Sequence, residues 1–270
     1  MTLKPRLLLC GFLVAIVAGC GSDSTGPTSS APLDLASVVS QLAYSGLASV
    51  PGAATLALIP ATVIPPAVAP AACPFVAATG FTCPAVTAAG LTFNVSFFLY
   101  DASNQPQTQL GIIGSTASVR TIVDTKGTLA LPAGSGGGSV AITDHSDNTL
   151  SGLQGPNLVI NGTSTSHYDV TPDATGTSPV VHSLVDATTL TRNVVFPARG
   201  SANGGYPLSG TITSDVSTSS TVGAFPQISA TVHLVLTFDG TSTPTVTIQL
   251  GDITKTCKVS LSGQSAPVCS

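Results

Sequence analysis

The feature that most constrains the fold is a period-two alternation of apolar and polar residues, which recurs in successive runs from Leu91 onward. The clearest runs cover residues 91–99, 206–216, 228–238 and 246–250. Successive side chains of a strand point to opposite faces, so these runs predict strands with one apolar and one polar face. A single wetted face is typical of antiparallel sheets, whereas buried parallel strands read as continuous apolar runs.

Turn-forming sequences separate these runs and set the predicted number of strands. They lie at residues 101–104, 124–127, 134–138, 172–176 and 239–240. No helix-length segment intervenes between the strands, which disfavours a βαβ topology. The spacing predicts an all-β antiparallel meander of about nine to eleven strands. Such a meander could form a barrel, an incomplete barrel or a sandwich, and the alternation does not distinguish these.

The first twenty residues have the form of an export signal. Lys4 and Arg6 make a short basic region, and residues 7–17 make an apolar run. That run is shorter than the roughly 20 residues that a membrane-spanning helix needs. It ends in Val17-Ala18-Gly19-Cys20, which resembles the lipobox of bacterial lipoproteins. The resemblance implies that residues 1–19 are a signal peptide and that Cys20 is lipidated.

The same resemblance implies a location in the cell envelope. In Gram-negative lipoproteins an aspartate directly after the lipidated cysteine favours the inner membrane, and this chain has Gly21 there. We therefore expect an outer-membrane lipoprotein that faces either the periplasm or the cell surface. Each buried methylene of an acyl chain contributes about 0.8 kcal/mol, so two or more chains make a stable anchor.

The predicted mature chain divides into a tether and one domain. Residues 20–32 are rich in Gly, Ser, Thr and Pro, which predicts a flexible, lipidated tether. Residues 33–48 carry apolar residues at helical spacing, and the prolines over residues 51–72 favour an extended strap. The sequence thus predicts a single β-rich domain over residues 33–270, with one N-terminal helix and an Ala/Pro-rich strap over 33–90 and antiparallel strands over 91–270.

Four cysteines belong to the predicted domain: Cys73, Cys83, Cys257 and Cys269. An even number of cysteines in an exported chain implies disulfides, and four cysteines allow three pairings. We favour Cys73–Cys83 and Cys257–Cys269, because each closes a short loop that a disulfide stabilises by about 2.5–3 kcal/mol. Zinc sites use cysteines two to four residues apart, so these spacings disfavour a metal site.

Composition excludes several classes of function. Only 7% of the residues are charged, and eight basic residues cannot supply a nucleic-acid-binding surface. All twelve acidic residues are aspartate, which removes every motif that needs glutamate. Nucleophile-elbow, Ser-x-x-Lys and Walker motifs are also absent from the sequence. We therefore expect a non-catalytic protein without a cofactor, although a hydrolase that uses Ser or Asp is a less favoured alternative.

Two histidines are the weak candidates for a metal site. If the hairpin between them turns near residues 173–176, His167 and His182 lie directly opposite on one exposed face, with Cβ atoms about 5 Å apart. Two imidazoles so placed could share a transition metal, with Asp169 as a further ligand. The competing interpretation is a solvated cross-strand pair that binds no metal, since a one-residue change of register is enough to remove the direct opposition of the two histidines. The polar segment 144–148 favours a turn over a calcium site.

The apolar stripe suggests both a core and, less simply, a pocket. Phe93, Phe97, Leu234 and Phe238 should share the apolar face, where they would form the core or line a site for an apolar ligand. The sequence predicts an envelope lipoprotein that acts as a non-catalytic binding or structural module. The alternative is a carrier of lipid in a curved sheet. The membrane is the one predicted partner, reached through the lipid anchor, and a protein, glycan or lipid partner is not identified by the sequence.

Overall fold

The computed structural model describes residues 73–88, 90–109, 115–131, 137–171, 173, 181–197, 206–222, 227–261 and 268–270. The predicted signal peptide, the lipidation site Cys20, the tether, the helix and residues 51–72 of the strap lie outside the described residues. Strands begin at Phe75, earlier than the expected start at Leu91.

The described part of the chain contains fourteen strands. In chain order they are β1 (Phe75–Val76), β2 (Gly80–Thr82), β3 (Val86–Ala88), β4 (Leu91–Asp101), β5 (Pro106–Gln107), β6 (Thr116–Ala130), β7 (Ser139–Ser151), β8 (Asn157–Thr171), β9 (Val181–Pro197), β10 (Ser209–Val222), β11 (Ile228–Thr237), β12 (Thr245–Leu250), β13 (Ile253–Lys258) and β14 (Val268–Cys269). Strands β1, β2, β3, β5 and β14 have only two or three residues, which is too short for an alternating pattern to be recognised.

All of these strands belong to one antiparallel sheet. The order along it is β1-β2-β4-β6-β7-β8-β9-β10-β11-β12-β13-β14, while β3 and β5 also pair with β4. Strand β6 pairs along the full length of β4, so β2, β3 and β5 share the other edge of β4. The predicted antiparallel all-β meander is confirmed. The two ends of the sheet do not pair within the described residues, so the sheet is open and not a closed barrel.

Cross-strand register assigns the residues of the long strands to two faces. One row runs across six strands, each residue directly opposite the next: Asp124, His145, Thr165, Thr188, Asp215 and His233. We call the side of β6–β11 that carries this row the polar face. All members of the row are exposed except the half-buried His233. Alternation places this side in solvent, as one wetted face of an antiparallel sheet requires.

The opposite side of the sheet, which we call the inner face, carries the hydrophobic core. The larger cluster of buried residues comprises Leu150, Ile160, Val194, Val232, Leu234, Leu236, Phe238, Val246, Ile248, Cys257 and Val259. A smaller cluster comprises Leu131, Val140, Ile142 and Val170. Full burial of one such side chain contributes about 1.5–3 kcal/mol, so the larger cluster is the main source of stability in the described fold.

The centre of the inner face is polar. Ser146, Ser164, Thr189 and Ser214 lie opposite one another across β7, β8, β9 and β10. Ser214 is buried, and its hydroxyl lies 3.0 Å from the hydroxyl of Thr189, with which it hydrogen-bonds. Hydroxyls that satisfy one another can be buried at little cost. Over these four strands, therefore, both faces of the sheet carry polar side chains.

Two of the predicted turns are wrong. Residues 124–127 lie inside β6 and residues 144–148 lie inside β7, where both strands pair with neighbours on each side. Ladder hydrogen bonds on two edges outweigh the local preference of Asp, Asn and Gly for turns. Gly127 serves a close approach between strands instead, because a Cβ at this position would collide with the carbonyl oxygen of Gly90.

Both predicted disulfides are confirmed. Cys73–Cys83 encloses the β1–β2 hairpin at one end of the sheet. Cys257–Cys269 joins directly opposed residues of β13 and β14 at the other end. Local loops of 10 and 12 residues are thereby closed at the two margins of the sheet.

Candidate functional site

Each of the four histidines of the chain contacts an aspartate on a neighbouring strand. The nitrogen–oxygen distances are 2.7 Å for His145 Nδ1–Asp124 Oδ1, 2.7 Å for His167 Nδ1–Asp186 Oδ1, 2.6 Å for His182 Nε2–Asp169 Oδ1 and 2.6 Å for His233 Nδ1–Asp215 Oδ1. A carboxylate only accepts hydrogen bonds, so the contacting imidazole nitrogen donates in each pair. When an imidazole is protonated, its pair becomes an ion pair.

The sheet register explains these pairs. His145, His167 and His233 lie directly opposite their aspartates on adjacent strands. Asp169 lies opposite Leu184, so His182 reaches Asp169 along the diagonal. Opposed residues have Cβ atoms about 5 Å apart, which suits a short contact between imidazole and carboxylate.

The register separates the two histidines that were expected to face each other. His167 lies opposite Asp186, four residues beyond His182. The shift is even, so both histidines are still on the polar face, but they do not form a pair. A register change between Ile160 and Gly162 accompanies this pairing of β8 with β9. The segment at the tip of this hairpin, residues 174–180, lies outside the described residues.

The histidine that does lie beside His167 is His145, which the sequence placed in a turn. His145 is directly opposite Thr165, and His167 is directly opposite Thr143. These four residues form a square on β7 and β8 with the two histidines at diagonal corners. A shallow, open depression of about 200 Å³ lies on the polar face at this position. Its lining residues are Thr143, His145, Thr165, Ser166, His167, Asp186, Ala187 and Thr188.

Arg120 and Asp147 form an ion pair with two hydrogen bonds on the polar face. Arg120 Nε donates to Asp147 Oδ1 at 2.8 Å, and Nη2 donates to Oδ2 at 2.5 Å. The hydrogen bond from Arg120 lowers the pKa of Asp147, and the carboxylate raises the pKa of Arg120 in return. The guanidinium also lies 5.7 Å from the ring centroid of Phe98, within the range of a cation–π contact.

Partnered charges are therefore the rule on the polar face. The aspartates of its central strands each contact an imidazole or a guanidinium: Asp124, Asp147, Asp169, Asp186 and Asp215. Between them lie exposed hydroxyls such as Thr143, Thr163, Thr165, Thr188 and Ser217. The surface is broad and hydroxyl-rich.

Asp144 is the one carboxylate placed on the inner face of the central strands. Its Oδ1 atom is buried and has no hydrogen-bond partner among the described residues. Burial raises the pKa of Asp144, and hydrogen bonds from Ser166 and Tyr168 offset part of that increase. Burial also raises the pKa of the Tyr168 hydroxyl, with the charge of Asp144 adding to the effect.

The four candidate residues for an apolar pocket share the inner face but do not form one lining. Leu234 and Phe238 are buried in the larger core cluster. Phe97 stacks on Phe81 with ring centroids 5.1 Å apart, and Phe93 is half-buried. Strands β6–β10 separate β4 from β11 in the sheet order, so the two phenylalanines of β4 are remote from Leu234 along the sheet.

Among the residues that the structure describes, no group of three or more His, Cys or Asp side chains is placed to hold a metal ion. Within the same ranges, no helix has the length and hydrophobicity needed to cross a membrane. The chain matches no protein-family model, and it resembles no curated protein and no solved structure. Its function must therefore be argued from its own geometry.

Proposed function

We propose that the protein is an envelope lipoprotein that displays the polar face of its sheet as a non-catalytic binding surface for neutral glycans. The observation that carries this proposal is the breadth of the exposed, hydroxyl-rich surface. Six strands span about 24 Å between the outermost strand axes, at roughly 4.8 Å per strand. A tether of residues 20–32 would hold this surface away from the membrane.

The chemistry of the polar face suits sugars. Threonine and serine hydroxyls both donate and accept hydrogen bonds, which matches the hydroxyl groups of a neutral glycan. The paired aspartates and histidines add oriented acceptors and donors to these hydroxyls.

The position of exposed apolar residues supports a glycan over a protein partner. The large exposed apolar residues lie at strand ends or on the short strands β1, β3 and β14: Val76, Val86, Ile228, Ile253 and Val268. The centre of a protein–protein interface is typically apolar and rich in aromatic residues. The two rows at the centre of the polar face instead consist of threonine, serine, histidine and aspartate with Lys126, and apolar Ile122, Leu190 and Val235 in the next row are half-buried.

Affinity electrophoresis tests the proposal. The Cys20→Ser protein, which lacks the lipid anchor, would be run through gels that contain neutral glucans, mannans or galactans. We expect at least one polysaccharide to retard it, and we expect Thr188→Arg, at the centre of the polar face, to weaken binding at least tenfold. Ser103→Arg adds the same charge in an exposed turn and should leave binding unchanged. Absence of retardation in every gel, or equal losses in both variants, would contradict a glycan-binding face.

The anchor is tested separately in a Gram-negative host. We expect the unmodified chain to incorporate labelled palmitate and to sediment with the outer membrane, because two or more acyl chains make a stable anchor. Cys20→Ser should move the protein to the soluble fraction. Sedimentation of the Cys20→Ser protein with the membrane would show that attachment does not depend on that cysteine.

The open sheet favours one alternative, a carrier of lipid or another apolar ligand. Half-buried apolar residues of the inner face, such as Phe93, would then contact the ligand beside the packed core. This alternative predicts that gently purified Cys20→Ser protein shows an added mass in native mass spectrometry, which disappears on denaturation. A single species at the mass of the polypeptide argues for the glycan-binding module instead.

A further inference from the structure

Two histidine–aspartate pairs lie side by side across four consecutive strands, with opposite orientations. Asp124 on β6 contacts His145 on β7, and Asp186 on β9 contacts His167 on β8. Both aspartates are therefore on the outer flanks, and both histidines are on the two central strands. The contact atom is Nδ1 in both histidines.

This arrangement turns the free nitrogens of the two rings towards each other. In an imidazole, Nδ1 and Nε2 lie on opposite sides of the axis that extends from Cβ through Cγ. The His145 ring has its Nδ1 side towards β6, so its Nε2 side is towards β8. The His167 ring has its Nδ1 side towards β9, so its Nε2 side is towards β7. Both Nε2 atoms thus face the gap between β7 and β8.

The aspartates also fix which nitrogen can act as a ligand. A neutral imidazole that donates its Nδ1 hydrogen to a carboxylate has its lone pair on Nε2. Carboxylate–histidine pairs of this kind support metal-bound histidines, because the carboxylate orients the ring and makes the ligand nitrogen more basic. The two pairs therefore present two oriented nitrogen ligands towards one place.

The surroundings of that place are polar and open. Thr143 lies opposite His167 and Thr165 lies opposite His145, so two hydroxyls occupy the remaining corners of the square. All four residues are among those that line the shallow depression of the polar face. Diagonal neighbours in an antiparallel pair have Cα atoms about 7–8 Å apart, a span that two imidazole rings can bridge through one ion.

We propose that His145 and His167 bind a single first-row transition-metal dication, such as Zn²⁺ or Cu²⁺, through their Nε2 atoms. Imidazole is a preferred ligand for these ions, whereas Ca²⁺ and Mg²⁺ need a shell of oxygen ligands. Asp124 and Asp186 position the rings without touching the ion. Water and the hydroxyls of Thr143 or Thr165 fill the other coordination positions, so the site is open to a further ligand.

The other two histidine–aspartate pairs are internal controls. His233 contacts Asp215 through Nδ1 in the same way, but no second histidine lies beside it on the described strands. His182 contacts Asp169 through Nε2, which reverses the ring nitrogen that is free. The proposal therefore assigns the ion to the two exposed histidines, His145 and His167, out of the four.

Metal titration of the full mature chain tests the proposal. The protein would be stripped with a chelator and titrated with Zn²⁺ by calorimetry and with Cu²⁺ by electron paramagnetic resonance. We expect one equivalent of metal and a Cu²⁺ spectrum with hyperfine splitting from two imidazole nitrogens. His145→Ala and His167→Ala should each weaken binding at least tenfold, while His233→Ala leaves it unchanged.

Positioning by the aspartates has its own measurement. Asp124→Asn and Asp186→Asn should weaken binding by 10- to 100-fold, the usual effect of removing such a carboxylate, and the two-nitrogen splitting should persist. Three results would overturn the site: no stoichiometric metal, an equal loss in His233→Ala, or a spectrum with one imidazole nitrogen. Because these histidines are exposed, circular dichroism should show that every variant is folded.

Discussion

Asp144 and Asp147 lie three residues apart on β7 and point to opposite faces of the sheet, and their environments shift their pKa values in opposite directions. Burial on the inner face raises the pKa of Asp144. The hydrogen bond from Arg120 on the polar face lowers the pKa of Asp147. A pKa that differs between the folded and unfolded states makes stability depend on pH, so these two carboxylates should contribute with opposite signs.

Substitution by asparagine should separate the two contributions. The raised pKa of Asp144 costs the native state nothing below the ordinary value of 3.8, and it destabilises that state increasingly as the pH rises from there to the raised native value. The unmodified protein should therefore lose stability as the pH rises from 3.8 to the raised pKa of Asp144, and Asp144→Asn should remove this loss. The lowered pKa of Asp147 gives a contribution to stability that is present above pH 3.8 and lost as the pH falls through the lowered native value. Asp147→Asn should abolish that loss on the acid side.

Urea unfolding of the two variants and the unmodified protein between pH 2 and pH 8 checks both signs. Lys258→Ala provides a control, because its contact with Asp239 at 3.6 Å is an exposed pair that should contribute little. If Asp144→Asn and Asp147→Asn changed the pH profile in the same direction, the assignment of one carboxylate to each face would be wrong.

Residue exposure was more predictable than residue pairing. Alternation along β8 correctly predicted that His167 is exposed, since its neighbours Tyr168 and Val170 alternate with it. The partner of His167 depends on the register between β8 and β9, and an even shift of register leaves the same alternation of polar and apolar residues. For this reason the proposed partnership with His145 could be recognised only once Thr143 was known to lie opposite His167.

At the scale of elements, β9 is the strand with irregular pairing on both edges. On the β8 side the register changes between Ile160 and Gly162. On the β10 side it changes between Ser209 and Thr211, the two residues that flank Gly210. Asn193 has a positive φ of 48° at this level, and its backbone N–H donates to Asn161 Oδ1 at 2.7 Å. These bulges locally increase twist and re-aim side chains.

Gly210 allows the bulge between β9 and β10. Its φ of 109° is rare for residues with a side chain, and a Cβ would collide with the carbonyl oxygen of Asn193. We expect Gly210→Ala to destabilise the protein by about 2 kcal/mol, the usual range for such strain being about 1–3 kcal/mol. Gly155→Ala is the matched control, since its nearest neighbour would lie at 3.5 Å. Thermal unfolding should show a loss for Gly210→Ala only, and equal transitions would mean that the bulge tolerates a side chain.

The long strands β6–β9 illustrate why some elements were misread. Alternation identified β4, β11 and β12, where one face is apolar and the other polar. In the middle of β7–β9 the inner face carries residues such as Ser146, Ser164 and Thr189, so both faces are polar and period two disappears. Polar segments without a period resemble loops, and this resemblance produced the wrong turn predictions at residues 124–127 and 144–148.

For the whole molecule, the two disulfides are placed at the two ends of an open sheet. One encloses the hairpin β1–β2 and the other joins β13 to β14, and these are the outermost strands in the sheet order. Edge strands present unpaired backbone groups that can recruit another chain, and very short edge strands limit this recruitment. Pairing over two residues contributes little stability, so the disulfides help to hold β1 and β14 on the sheet.

Removal of either disulfide should therefore change both stability and association. We expect the Cys73→Ser/Cys83→Ser and Cys257→Ser/Cys269→Ser proteins each to lose about 2.5–3 kcal/mol of unfolding free energy. We also expect each to form oligomers at concentrations where the unmodified protein is monodisperse, because a longer edge strand becomes available. Denaturant unfolding and light scattering during size-exclusion chromatography measure the two effects. A loss of stability without oligomers would restrict the role of the disulfides to the closure of short loops.

The strictly sequential pairing from β6 to β14 has a consequence for the order in which the chain can assemble. Each strand from β7 to β13 pairs with the strand before it and the strand after it in the chain. A polypeptide that folds from its N-terminus onward can thus add each new strand to the edge just completed. No strand in this part of the sheet depends on a partner that is distant in the chain. Each loop closure is therefore short and costs little conformational entropy. Assembly then follows the direction of the chain, and the Cys257–Cys269 bond is the last to form.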